Sequence, residues 1–132
     1  MHFKLDPILE KDSIFIKEME LCQLRLINNS DFPWIILVPM KNNLVEITDL
    51  SDSDYNQLNK EIKNIAKSLK EITKADKLNI ATIGNVVSQL HIHIIARYKS
   101  DKLFPKPVWG CEFTPYSEDS INIIITKLKM TV

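Results

Sequence analysis

Glycine and cysteine are nearly absent, with two of each in 132 residues. So few glycines leave little room for incidental ones, and Gly84 and Gly110 are each expected at a backbone position that a side chain resists. Cys22 and Cys111 stand far apart with no Cys-x-x-Cys spacing, which favours two reduced thiols over a disulfide framework or a zinc site. Excess charge is missing too. Seventeen basic residues balance seventeen acidic ones, so the chain has no broad electrostatic footprint for nucleic acid or an anionic membrane, and an anionic ligand would have to be held by a local site. No apolar run approaches the ~18 residues that a spanning helix needs, and Met1 to Asp6 lack the apolar stretch of a secretory signal. The expectation is a soluble cytoplasmic protein with neither nucleic acid nor membrane as partner. Repeats, low-complexity linkers and internal boundaries are also lacking, so residues 1–132 are expected to form one domain, long enough to bury about two-thirds of its unfolded surface without a staple.

What is present reads as strands, a helix, two strands and a helix. Leu5 to Leu9 opens irregularly or with one helical turn, and Ser13 to Ile16 is a short edge strand. Cys22 to Ile27 alternates as the first central strand, Asn28 to Asp31 turns by side-chain hydrogen bonding, and Trp34 to Pro39 is a continuous apolar strand that stops at proline. Ser51 or Asp52 caps a helix on which Leu58, Ile62, Ile65, Leu69 and Ile72 recur at steps of four and three. Lys60, Lys63, Lys67, Lys70 and Lys74 lie off that stripe, on a solvated face. Leu78 to Ile83 is a strand, Gly84-Asn85 turns the chain into another at Gln89 to Arg97, and Ser117 to Lys129 is a last helix with Ile121, Ile124, Ile125 and Leu128 inward. The class is α+β with an antiparallel sheet.

The stretch Gln89-Leu90-His91-Ile92-His93-Ile94-Ile95-Ala96-Arg97 carries the chemistry. Alternation puts Gln89, His91, His93 and Arg97 on one face and Leu90, Ile92, Ile94 and Ala96 on the other, toward a core. Same-face neighbours on a strand lie about 6.5–7 Å apart, a spacing that suits a phosphate held among cationic and donor groups. Two of the three histidines and one of the only two arginines share that face. An imidazole there can serve as nucleophile, general base or metal ligand, so the strand is a reaction centre or a metal site. Against both stands the plain alternative of histidines solvated on a half-exposed strand. Gly84, just ahead, is a hairpin turn or a place where backbone N–H groups cradle a phosphate, and the two are compatible.

Gln89-x-His91-x-His93-Ile94-Ile95 resembles the signature of the histidine-triad (HIT) superfamily of nucleotide hydrolases and transferases, with glutamine in the first histidine's place. Phe32-Pro33-Trp34 with Val38-Pro39, Gly84 through His91, and Pro105 through Gly110 are similar to the bacterial branch that carries glutamine there, and the resemblance covers Leu24 to Asp101. It implies a HIT-like antiparallel sheet of about five strands with one long helix and a C-terminal helix. It also implies an enzyme that cuts a phosphoanhydride or related ester at the α-phosphate of a nucleotide conjugate, releases a nucleoside monophosphate, and assembles as a two-fold homodimer. His91 matches the nucleophile that forms a nucleotidyl-histidine intermediate, and His93 the histidine that orients the site and bonds the phosphate region. Gly84 and Asn85 match the phosphate-contacting turn, while Ile27, Asn28 and Asn29 fall where the family contacts base and ribose. The implied partner is a purine nucleotide or dinucleoside polyphosphate.

Two departures bear on mechanism. Gln89 cannot take up a proton, though it donates and accepts hydrogen bonds, so its implied catalytic place carries no proton relay. Trp34 stands near where several relatives carry a further histidine. Leaving groups that need little protonation, such as nucleoside polyphosphates, are therefore favoured over amines. The phosphate's charge would fall to His93, the turn amides and Arg97. No acidic cluster offers to hold a tight Mg²⁺, which is expected only as a companion of a polyphosphate substrate, and no tightly bound cofactor is expected. Three readings follow. The first and leading one is a nucleotide phosphohydrolase; the second, to which Gln89 and Trp34 lend weight, is a nucleotide-binding module with weak or lost catalysis. The third is a metal-binding hydrolase built on His-x-His, which lacks a third ligand in the signature because Asp101 lies beyond the strand.

Overall fold

The computed structural model describes residues 2–131. Proline at the first helical position and an Asp6 side chain that accepts from Ile8 N start a short helix, α1 (Pro7–Asp12). Five strands follow in the chain: β1 (Ser13–Glu18), β2 (Cys22–Ile27), β3 (Trp34–Pro39), β4 (Lys77–Ala81) and β5 (Ile92–Arg97). They form one antiparallel sheet in the order β1-β2-β3-β5-β4. Between β3 and β4 runs α2 (Asp52–Thr73), and α3 (Glu118–Thr131) follows β5. The fold is α+β, with the five-stranded sheet, one long helix and C-terminal helix that the sequence leads one to expect. No helix among the described residues is long and apolar enough to cross a membrane.

Local chemistry sets the helix bounds. Ser51 Oγ accepts from Asp54 N at 3.1 Å, Asp52 and Asp54 sit in the first turn, and Lys74 ends the helix in the left-handed region at φ 53°. The buried stripe of α2 holds Leu58, Ile65 and Leu69 as expected, with Ala66 and a glutamate beside them. Glu61 is buried because it has work to do there. Its carboxylate accepts from Leu21 N and Cys22 N, both at 2.9 Å, and from Gln57 Nε2 at 2.7 Å. The helix is thereby tied to the start of β2, and burial first, then the Glu61 charge, pushes the Cys22 thiol far above its ordinary range.

Both faces of the sheet are covered, which corrects the expectation of a polar face on the histidine strand. Leu24, Leu26, Ile35, Leu37, Ile92 and Ile94 pack beneath α2 and against Leu128 of α3. On the opposite face Trp34, Ile36 and Ile95 pack with Leu9, Phe32 and Val108, brought over by connecting segments. β5 lies between β3 and β4, pairing Ile36 with His93 and Trp34 with Ile95 on one side and Ala81 with His93 on the other. An interior strand whose ladder is satisfied on both edges is free to bury both faces, and Ile95, standing between His93 and Arg97, marks that the second face is largely apolar.

Candidate active site

β5 begins at Ile92, so His91 sits just ahead of the strand and His93 inside the ladder. Here the sheet opens on a cavity of about 420 Å³. Gly84 and Asn85 line it together with Ile27, His91 and His93, and Trp34, Trp109 and Phe113 add aromatic walls. Both glycines lie in the left-handed region, Gly84 at φ +70° and Gly110 at φ +85°, where a side chain is strained. Gly84 thus permits the turn that brings Asn85 to the histidines, and Gly110 the turn after Trp109.

The two imidazoles are held in opposite tautomers. His91 Nδ1 lies 2.6 Å from the carbonyl oxygen of Gln89. A carbonyl only accepts, so Nδ1 carries the hydrogen and Nε2 of the neutral ring keeps its lone pair. Trp34 Nε1 lies 2.9 Å from His93 Nδ1. An indole only donates, so His93 Nδ1 accepts and its hydrogen resides on Nε2. One ring therefore offers a lone pair and its neighbour an N–H. Their centroids are 4.8 Å apart with planes at 71°, and Trp109 packs edgewise on His93 at 4.8 Å. Burial first, and then the neighbouring His91, holds the pKa of His93 down to about 3.

Trp34 is therefore a positioning residue whose effect can be read apart from folding. Trp34→Phe keeps an aromatic ring but deletes the donor, so His93 is expected to populate both neutral tautomers, with its preference for the Nε2–H form reduced by about tenfold, the scale of one hydrogen bond's ~1.4 kcal/mol. Ring ¹⁵N shifts check it: wild-type His93 should hold the Nε2–H form and stay neutral from about pH 4 to about pH 8. The depressed value also couples to stability. Because the unfolded chain takes up this proton near its ordinary pKa of 6.5 and the folded one only near 3, the contribution is complete above the first value and is lost as pH falls toward the second. A variant ring still locked in one tautomer would remove Trp34 from this role.

The structure brings five of the expected residues to the cavity, Ile27, Gly84, Asn85, His91 and His93, and places four elsewhere. Gln89 turns its side chain to the N-terminal segment: Oε1 accepts from Asp6 N at 2.8 Å and Nε2 donates to Lys4 O at 2.9 Å. Asn28 Oδ1 accepts from Tyr116 N at 2.9 Å. Asn29, fully buried, accepts from Asp31 N and Thr114 N and donates to Cys111 Sγ at 3.7 Å. Both asparagines thus fasten the segment that carries Cys111 and Phe113 over the cavity.

Arg97 departs furthest from expectation. Its side chain is 1% exposed, with Nε and Nη2 on the two Asp101 oxygens at 2.8 and 3.1 Å, Nη1 on Asn79 Oδ1 at 2.9 Å and Nη2 on Lys106 O at 2.8 Å. Its donors are engaged in the fold and it does not line the cavity. Sequence reasoning about the site passed over Leu9, Asp12, Val86, Phe113 and Cys111, which also line it. They come from segments with no periodic signal, and only the rarity of Gly110 hinted that its neighbours matter.

A family model described as the HIT domain matches residues 9–100. A histidine triad protein of Bradyrhizobium japonicum is 39% identical, with a TM-score of 0.98 over 100% of this chain and 99% of that one. A histidine triad protein of Marinobacter aquaeolei is 35% identical, with a TM-score of 0.97 over 99% of this chain and 96% of its own. Among curated proteins, the bis(5'-adenosyl)-triphosphatase of Saccharomyces cerevisiae is 31% identical over 70 residues, 49% of this chain and 34% of its own. The match thus spans about a third of that relative's length.

Proposed function

Because the chain belongs to the HIT family, we propose that it is a nucleotide hydrolase in which His91 attacks the α-phosphorus of a nucleotide conjugate, forms a nucleotidyl-histidine intermediate, and releases a nucleoside monophosphate when water attacks in turn. The opposed tautomers support this most directly. Nε2 of His91 presents a lone pair, and the positive charge that develops on its ring is met by the Gln89 carbonyl at Nδ1. Neutral His93 offers its Nε2–H to a phosphoryl oxygen without charge repulsion against the ring that becomes cationic. The turn at Gly84 and Asn85 lies against the same phosphate, and Ile27 beside the nucleoside. Splitting one displacement into two lets the same donors serve both steps. The yeast relative's name, which specifies a phosphoanhydride between adenosines, accords with this chemistry. No resident metal is part of the reading, since among the described residues no cluster of three or more His, Cys, Asp or Glu is placed to hold one. A two-fold homodimer in the cytoplasm belongs to the same proposal.

Rapid-quench trapping with a nucleotide substrate labelled in its α-phosphate, run in EDTA, tests it. The expected result is label on the protein in an acid-labile, alkali-stable bond that peptide mapping places on His91. Label on another residue, turnover without any labelled protein, or activity that EDTA abolishes and zinc restores would each overturn the mechanism. Nucleotide binding with no turnover would leave the binding module as the function.

A further inference from the structure

Residues 82–91, which carry the cavity turn and His91, lie outside every helix and strand, so the carbonyl that fixes the His91 tautomer belongs to a residue without a sheet ladder. Gln89 is fastened by its side chain instead. Its amide accepts from Asp6 N at 2.8 Å and donates to Lys4 O at 2.9 Å. Asn42 repeats the arrangement two residues earlier, with Oδ1 accepting from Lys4 N at 3.1 Å and Nδ2 donating to His2 O at 2.8 Å. Each amide takes the carbonyl of one residue and the N–H of the residue two further on, the pair that a neighbouring parallel strand would take. Phe3 and Leu5, which alternate with the gripped residues, pack on the apolar cluster that contains Trp34 and Val87. Residues 2–6 are thus a strap laid along two side-chain amides.

The strap leads straight into α1, which presents Ile8, Leu9 and Asp12 to the cavity. A helix of six residues is too short to be stable by itself, so what flanks α1 places it. At its C-terminal end Asn28 N donates to Asp12 O at 3.0 Å, and at its N-terminal end stands the strap. Gln89 joins that strap to the nucleophile, because its side chain grips residues 4 and 6 while its carbonyl oxygen lies 2.6 Å from His91 Nδ1. The N–H of the same peptide unit, on Leu90, donates to Leu44 O at 2.9 Å. Asn43, in the left-handed region at φ 65° that asparagine tolerates, turns the chain between Asn42 and Leu44. One short loop therefore supports both the strap and the peptide that orients His91.

Resting on the hydrolase reading above, we propose that Gln89 and Asn42 are positioning residues: their amides dock residues 2–6, and the docked strap sets the α1 wall of the nucleotide cavity and, through Gln89, the ring of the nucleophile. The two amides differ in reach. Gln89 is bonded to the strap and to His91, so freeing its side chain disturbs both binding and the attack at phosphorus. Asn42 does not line the cavity, and freeing it reaches the site only through the strap. With the strap undocked for part of the time, the apparent affinity for a nucleotide falls in proportion to the docked fraction. Loss of the Gln89 amide also lets its carbonyl swing off Nδ1, and a small misplacement of a reacting group carries a large cost in rate.

The test uses the whole chain as wild type, Asn42→Ala and Gln89→Met, the last close to glutamine in size but without its donor and acceptor. Three quantities are read: the Kd of AMP by calorimetry, kcat and KM on the p-nitrophenyl ester of AMP, and the ring ¹⁵N shifts of His91. Asn42→Ala should raise the Kd of AMP and the KM by about threefold and leave kcat within about twofold. Gln89→Met should raise Kd and KM at least as far, lower kcat by about tenfold or more, and reduce the preference of His91 for the Nδ1–H form by about fivefold. AMP affinity unchanged in Asn42→Ala would overturn the strap's part in the cavity wall. A His91 ring still locked as Nδ1–H in Gln89→Met would overturn the part of Gln89. If Gln89→Met does not fold, Asn42→Ala, at a half-buried side chain on a loop, still decides by its split between KM and kcat. If the wild type binds AMP and leaves the ester intact, the hydrolase reading falls, while Kd and the ring shifts still decide the strap.

Discussion

His91→Ala is expected to lower nucleotide turnover by about four orders of magnitude or more, to the rate that binding and the remaining donors sustain. The expectation rests on one atom. Nδ1 is committed to the Gln89 carbonyl, so Nε2 is the lone pair available, and alanine leaves none in its place. Binding should survive, because Gly84, Asn85 and His93 beside the phosphate and Ile27 beside the nucleoside are untouched; the Kd of a non-hydrolysable nucleotide should change by less than about tenfold. His91→Gly leaves room for a free imidazole, and imidazole added to that variant should restore measurable turnover without restoring label on the protein. Undiminished turnover in His91→Ala would remove the nucleophile. A loss of binding as deep as the loss of kcat would make His91 a ligand for substrate and no more.

The parts of the fold that the sequence discloses are those whose cause is local. Alternation in Cys22–Ile27, the proline that ends Trp34–Pro39, and the four-and-three spacing from Leu58 to Leu69 each act within a few residues, and each element stands where expected. What stayed hidden depends on partners far along the chain. Gln89 looks like a site residue by parity, yet its amide is satisfied by Lys4 and Asp6. Asn28 and Asn29 look like ribose contacts by resemblance, yet they hold residues 111–116. The placement of Trp34 opposite Ile95 beside His93 follows from strand register, and register between strands so distant in sequence has no local signal. The tautomer of His93 was for that reason beyond reach of sequence alone, although both residues were in view.

Arg97→Met is expected to destabilise the protein by about 3–5 kcal/mol, the cost of removing one partner from a buried ion pair. Methionine keeps much of the arginine stem, which packs under Phe32 and Phe104 with the guanidinium carbon 5.4 and 5.8 Å from their ring centroids, so the loss falls mainly on the polar contacts. Asp101 is left 5% exposed and unpaired, while Asn79 Oδ1 and Lys106 O lose their donor. Asp101 also holds the turn after β5, accepting from Tyr98 N, Leu103 N and Phe104 N. Asp101→Asn in the Arg97→Met background should therefore recover part of the loss, because it removes the stranded charge and keeps an acceptor. The pH dependence supplies a second readout. Hydrogen bonding from Arg97 foremost, against a smaller opposing effect of burial and with help from those three N–H groups, holds the Asp101 carboxyl well below the usual carboxylate range. A depressed carboxylate stabilises the fold above its unfolded pKa of about 3.9 and loses that contribution as pH falls through its folded value. The gap in urea midpoint between wild type and Arg97→Met should accordingly be wide at about pH 7 and narrow at about pH 3. Unchanged stability together with a tenfold weaker nucleotide Kd would return Arg97 to the phosphate site that its place on the histidine strand first suggested.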